Sequence, residues 1–221
     1  AEETSIQPGR PFWVGVKLNM DPHWHVYWRN PGTGRPTSIN WRLPDGFTAG
    51  PVQWPYPFRF TLEGIVNFGF EEEVLLMTRI TPPEHLEGER VTLEAKVSWL
   101  ACKDVCIPGN TGVSISLPVS KQPPTFSQPW TGLFRNTRDK WPQSIPGVSV
   151  QALQQDGNLK LSFAGASNLF PDTLQFFPGT QDLIDHSVPP QWDLVDGSHV
   201  LTLKLLDPAE ALPFRLDGVL V

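Results

Sequence analysis

Charge of one sign, cysteine and long apolar runs are all scarce in this sequence. Its 17 Lys and Arg are scattered singly among 23 Asp and Glu, for a net charge of −6. No basic stripe can form from such a pattern, and nucleic acid is therefore excluded as a partner. No stretch approaches the roughly 20 apolar residues that a bilayer-spanning helix needs. The first residues, AEETSIQPG, are polar and hold no apolar signal region. Only two cysteines occur, Cys102 and Cys106. A closed zinc site is disfavoured, because a Cys-x₃-Cys pair lacks a nearby second pair.

Turn formers and aromatics are abundant instead. Glycine (18) and proline (24) make up about a fifth of the 221 residues, against roughly 12% in average usage. That excess punctuates a chain of short strands. Nine Trp and 13 Phe supply large apolar surfaces for a core. The length is too great for one sandwich of about 100 residues and comfortable for two.

The pattern along the chain agrees. Arg10–Leu18 alternates through Phe12, Val14, Val16 and Leu18, with period two. His23–Trp28 predicts a strand with His23, His25 and Tyr27 on one face. Ile39–Leu43, Glu73–Ile80, Arg90–Leu100 and Val113–Pro118 predict further strands, and Gly64–Phe70 a Gly-rich loop or strand edge. Lys121–Pro129 is the best linker, with Ser127 placed to cap a helix from Gln128 to Lys140. Asp156-Gly157 and Asp196-Gly197 are two hairpin signals between apolar runs. The expected fold is all-β: two antiparallel β-sandwich domains, 1–120 and 145–221, joined by a partly helical linker at 121–144.

The chemistry centres on Trp99-Leu100-Ala101-Cys102-Lys103-Asp104-Val105-Cys106-Ile107-Pro108-Gly109. A β-patterned stretch runs into the first cysteine and Pro-Gly follows the second. The two therefore belong at the tip of a hairpin, close enough for a disulfide if the chain turns back. A static staple would gain little here, since loop-closure entropy over about five residues is worth only about 2 kcal/mol. A short loop at an exposed tip suits exchange chemistry. Three readings stay open on spacing alone: a redox pair, a structural disulfide in a non-catalytic binding or assembly domain, and a metal site. For the last, His23, His25, His85, Met20 and Met77 are the candidate ligands of a copper-binding module. Lys103 would favour a thiolate at Cys102 and Asp104 would oppose it, and Tyr27 and Glu71 are further candidates for tuning the thiols. Phe68-Gly69-Phe70, followed by three acids, reads either as an apolar lid or as ordinary packing.

Four segments carry a resemblance: HWHVYWRNPGTGRPTSINWRLPDGF (23–47), AGPVQWPYPFRF (49–60), GIVNFGFEEEVLL (64–76) and VSWLACKDVCIPG (97–109). Together they resemble the N-terminal periplasmic region of the DsbD/ScsB family of membrane thiol–disulfide reductases, most closely the ScsB-like branch. The resemblance covers roughly residues 5–120. It implies an immunoglobulin-like domain with a catalytic pair at Cys102 and Cys106 and a cap loop at Phe68, Gly69 and Phe70, Phe68 or Phe70 being the cap aromatic. It also implies a periplasmic protein-disulfide reductase without a bound cofactor. Electrons would come from a thioredoxin-like domain of the same membrane protein and pass to periplasmic thioredoxin-fold disulfide proteins. The ScsB-like branch further implies a link to copper tolerance. In the DsbD branch the cysteines are more widely spaced, and the acids before the cap are replaced here by Ile65 and Val66.

Overall fold

The computed structural model describes residues 1–62, 64–165 and 174–221. Strands come first in chain order: β1 (Phe12–Asn19), β2 (His25–Tyr27), β3 (Ser38–Arg42), β4 (Thr48–Gln53), β5 (Phe58–Leu62), β6 (Ile65–Glu71), β7 (Glu73–Thr81), β8 (Arg90–Cys102) and β9 (Cys106–Pro118). The helix α1 (Gln128–Asp139) follows, then β10 (Ser149–Gln155), β11 (Asn158–Ala164), β12 (Phe176–Pro178), β13 (Gln191–Val195), β14 (Ser198–Lys204) and β15 (Gly218–Leu220). Among the described residues no helix is long and apolar enough to cross a membrane.

These elements form two units. Unit 1 comprises Ala1–Arg29, Gly34–Phe58 and Gly69–Trp141; unit 2 comprises Asn30–Thr33, Arg59–Phe68 and Pro142–Val221. The division is not a single cut along the chain, because residues 30–33 and 59–68 group with the C-terminal half.

Unit 1 is a sandwich of two antiparallel sheets. In one, β7 lies between β1 and β4; in the other, β8 is flanked by β3 and β2 on one side and by β9 on the other. The period-two pattern dictates what is buried. Phe12, Val14 and Val16 of β1 point inward, as do Val91, Leu93, Ala95 and Val97 of β8. Ile6, Phe12, Val14, Phe47, Ile80, Val91, Leu93 and Leu117 close into one core between the sheets, each large side chain contributing about 1.5–3 kcal/mol by leaving water. The odd-numbered residues of β8 therefore face the core. Its even-numbered residues, Thr92, Glu94 and Lys96 among them, face outward, and Cys102 belongs to that outer set.

α1 is part of unit 1. Phe134 buries against Leu75 and Met77 of β7, with Trp13, Leu133 and Trp141 around it, and Arg138 donates to both carboxylate oxygens of Glu2. Ser127 stands at the N-cap as the sequence predicts, with Pro129 in the first turn, but its side chain makes no capping bond. Its backbone carbonyl does the work instead, accepting from Trp130 N, Thr131 N and Thr131 Oγ1.

Unit 2 contains a four-stranded antiparallel sheet in the order β10-β11-β14-β13 and a β12–β15 pair. Leu159, Leu161, Phe163, Ile184, Leu201, Leu203 and Leu205 form its core. Both Asp-Gly signals are tight two-residue turns, with φ of 51° and 73° at Asp156 and Gly157 and of 49° and 77° at Asp196 and Gly197. Positive φ at both central positions is the type I′ geometry that suits the strand twist.

Candidate functional site: a disulfide at a hairpin tip

β8 and β9 pair over their whole length, from Arg90↔Pro118 to Cys102↔Cys106. The register puts the two cysteines directly opposite each other at the last rung, across the turn Lys103-Asp104-Val105. Their Cα atoms are 4.1 Å apart and the sulfurs are bonded. That spacing is close to the ~4.5 Å of a non-hydrogen-bonded antiparallel pair, so the ladder itself brings the thiols together.

The two sulfurs have different surroundings. Cys102 is completely buried, while Cys106 is exposed. Val105 and Ile107, on either side of Cys106, are 61% and 52% exposed, an apolar rim around the accessible cysteine.

Tyr27 accounts for the surroundings of Cys102. Its hydroxyl donates to Cys102 Sγ at 3.0 Å and lies 3.9 Å from Cys106 Sγ. Burial raises the Tyr27 pKa, since a phenolate would be poorly solvated there. The phenol therefore stays protonated and remains a donor. Gly34 keeps the ring in place: with φ of +88°, a Cβ at this position would fall 2.8 Å from Tyr27 Cζ, so only glycine fits. A second close approach supports the hairpin from the core side, where a Cβ on Gly109 would lie 2.5 Å from the Trp99 ring of its cross-strand partner.

The other predicted residues divide. Tyr27 and Glu71 are at the site. β2 lies between β8 and β6, with His25 opposite both Cys102 and Glu71, and His25 Nε2 is 3.4 Å from Glu71 Oε2. Lys103 and Asp104 form the turn itself, Lys103 half-buried and Asp104 exposed. Phe68, Gly69 and Phe70 form part of a strand rather than a loop, because Gly69 and Phe70 pair with Tyr27 and Val26. Alternation that sets Gly69 and Glu71 beside Tyr27 and His25 turns Phe68 and Phe70 to the other side of β6. Phe70 stacks on Trp54 with ring centres 6.4 Å apart. Phe68 is buried edge-to-face on Phe177 at 5.2 Å and His186 at 4.9 Å. The aromatic lid expected over the disulfide is thus replaced in this state by a hydroxyl cover from β2. His23 lies outside the strand at a φ of 69°. Among the described residues no group of three or more His, Cys, Asp or Glu side chains could hold a metal ion.

Sequence reasoning offered His25 only as a metal ligand and not as a tuning neighbour of the thiols, and it missed Gly34 as the support of Tyr27. The first was within reach, since period two puts His25 and Tyr27 on one face. The second needed the fold.

A β-sandwich carrying one hairpin-tip disulfide, with one sulfur exposed and the other buried under a hydroxyl donor, defines a thiol–disulfide exchange domain. The chain belongs to the family described as "Thiol:disulfide interchange protein DsbD, N-terminal", whose model matches residues 1–118. No curated protein matches the sequence. Among solved structures the chain is similar to the N-terminal periplasmic domain of ScsB from Proteus mirabilis. The TM-score is 0.69 at 20% identity, over 96% of this chain and 83% of that one, a likeness of fold across both units.

Proposed function

We propose that this chain is the periplasmic electron-transfer module of a membrane thiol–disulfide reductase. It takes electrons from a thioredoxin-like domain of the same protein and passes them to periplasmic thioredoxin-fold disulfide proteins. The observation that carries this reading is the asymmetry of the cystine, with Cys106 exposed and Cys102 buried under Tyr27.

That asymmetry supports one order of steps. A partner thiolate attacks Cys106 Sγ; the Cys102–Cys106 bond breaks, and its electron pair leaves on Cys102 Sγ. The Tyr27 hydroxyl stabilises the departing thiolate, because a hydrogen bond to a charged acceptor is worth more than one to a neutral acceptor. The partner's second thiol then attacks the mixed disulfide and releases Cys106. The partner leaves oxidised, and the two cysteines here are left reduced with the two protons it gave up. Onward transfer to a disulfide protein runs the same steps in reverse, with Cys106 as the attacking thiolate.

The test is trapping. With Cys102→Ser, the reduced protein is expected to accumulate a mixed disulfide through Cys106 with thioredoxin-fold partners; with Cys106→Ser it is expected to trap almost none. Equal trapping by both variants would overturn the assignment. A reduction potential below about −300 mV, the range of structural disulfides, would overturn the exchange function itself.

A further inference from the structure

Four side chains stand in a row across the outer face of one sheet: Glu71 on β6, His25 on β2, Cys102 on β8 and Cys106 on β9. Directly opposed residues of an antiparallel sheet share a face, with Cβ atoms about 4.5–5.5 Å apart. The Tyr27 hydroxyl confirms the face, since it comes from two residues further along β2 and reaches Cys102 Sγ at 3.0 Å. His25 is only 18% exposed and its Nε2 is held 3.4 Å from the Glu71 carboxylate, while the Phe58 ring of β5 packs against it with centres 5.7 Å apart.

We propose that His25, oriented by Glu71, is a positioning residue for thiol exchange: its imidazolium compensates the charge that appears on Cys102 Sγ when the disulfide opens. The proposal rests on the exchange reading above. The Tyr27 hydroxyl offers the leaving sulfur one hydrogen bond and no charge. A cation one strand away supplies the charge, and a positive neighbour within about 4–6 Å favours a thiolate strongly. Histidine suits the task because its ordinary charge change falls in the neutral range. In the forward step the imidazolium favours the outgoing Cys102 thiolate. In the reverse step it favours the thiolate that must resolve the mixed disulfide. Glu71 faces His25 from β6 and Cys102 from β8, with Tyr27 on its own strand and the Lys103 and Asp104 charges in the turn beyond. Of these, Glu71 is the group that holds the ring, with its Oε2 3.4 Å from His25 Nε2.

The thiolate absorbance of Cys102 is followed against pH in the reduced protein carrying Cys106→Ser, which isolates one sulfur. Adding His25→Gln is expected to move the Cys102 midpoint up by about one unit or more, a tenfold fall in thiolate at a given pH. His25→Lys, which restores a positive charge, is expected to return most of that shift. No change with His25→Gln, or an equal change with Gln and Lys, would overturn the proposal. A readout without substitution at position 25 guards against misfolded variants. The His25 ring resonance of the Cys106→Ser protein should shift a second time as Cys102 ionises, and its failure to do so would also overturn it. No partner protein enters these titrations, so a domain that reduces disulfide proteins yet shows no coupling would overturn this proposal and leave the exchange reading standing.

Discussion

Unit 1 and unit 2 build the same element, a tight antiparallel hairpin, in two ways. The β10–β11 and β13–β14 hairpins of unit 2 close on Asp-Gly turns whose four central residues all have positive φ. No covalent link crosses them; in the first, the Asn158 side-chain amide donates to Asp156 O. The β8–β9 hairpin of unit 1 turns through Lys103-Asp104-Val105, none of them among the positive-φ residues, and a disulfide crosses its last rung. With 13 residues in each strand and a fully paired ladder, it has no evident need of a covalent clasp. The comparison teaches that the cystine is there for its chemistry and that its contribution to folding is secondary.

Replacing both Cys102 and Cys106 by Ala puts this most directly. All exchange should be lost, while stability falls by only about 2 kcal/mol, the loop-closure worth of so short a ring. Equilibrium unfolding in denaturant, beside a disulfide-reduction assay, measures both. Unfolding at ambient temperature would reverse the comparison and make the bond a structural staple.

Tyr27→Phe sharpens it within unit 1. The ring stays and only the donor to Cys102 Sγ goes. A hydrogen bond to a charged group is worth about 1.5–3 kcal/mol, so exchange with a protein dithiol should slow roughly 10- to 100-fold. Stopped-flow fluorescence of disulfide reduction would show it. A rate within twofold of the parent would remove Tyr27 from the reaction.

The hairpin-borne cysteine pair, the alternation of β1 and β8 and the two Asp-Gly turns were legible because each is a local signal a few residues long. The site around the cystine was less so. Tyr27 and Glu71 could be suspected by type, but only the β2–β8 and β2–β6 registers bring Tyr27 beside Cys102 and Glu71 beside its neighbour His25. Those pairings join residues far apart in the chain. The aromatic lid shows the limit. Phe68-Gly69-Phe70 has the composition of a flexible cap, yet ladder pairing of Gly69 with Tyr27 makes it a strand, and one side of a strand cannot be chosen from composition alone. Short strands such as β4, β5 and β12 were not legible, because runs of three to six residues beside prolines hold too little of the two-residue period.

The smallest expected effect concerns unit 2, which has no cysteine but does have a half-buried histidine. His186 packs edge-to-face on Phe68. Its pKa is lowered, first by burial and then by the positive charge of Arg59, with Asp185 acting weakly the other way. A histidine depressed in the folded state binds its proton more readily when unfolded. Between the two pKa values the unfolded state binds more protons than the folded one, so stability should rise with pH through this window. The stabilisation is present above the ordinary histidine value of about 6.5 and is lost as pH falls toward the depressed one. Hydrogen exchange of the β11 and β14 amides at pH 7.5 and pH 5 reads unit 2 by itself. Protection should drop at the lower pH once the intrinsic exchange rate is corrected for. His186→Phe keeps a ring on Phe68 and removes the proton, so the drop should vanish. If it persists unchanged, another group controls the acid response, and unit 2 is a scaffold whose stability owes nothing to the titration of His186.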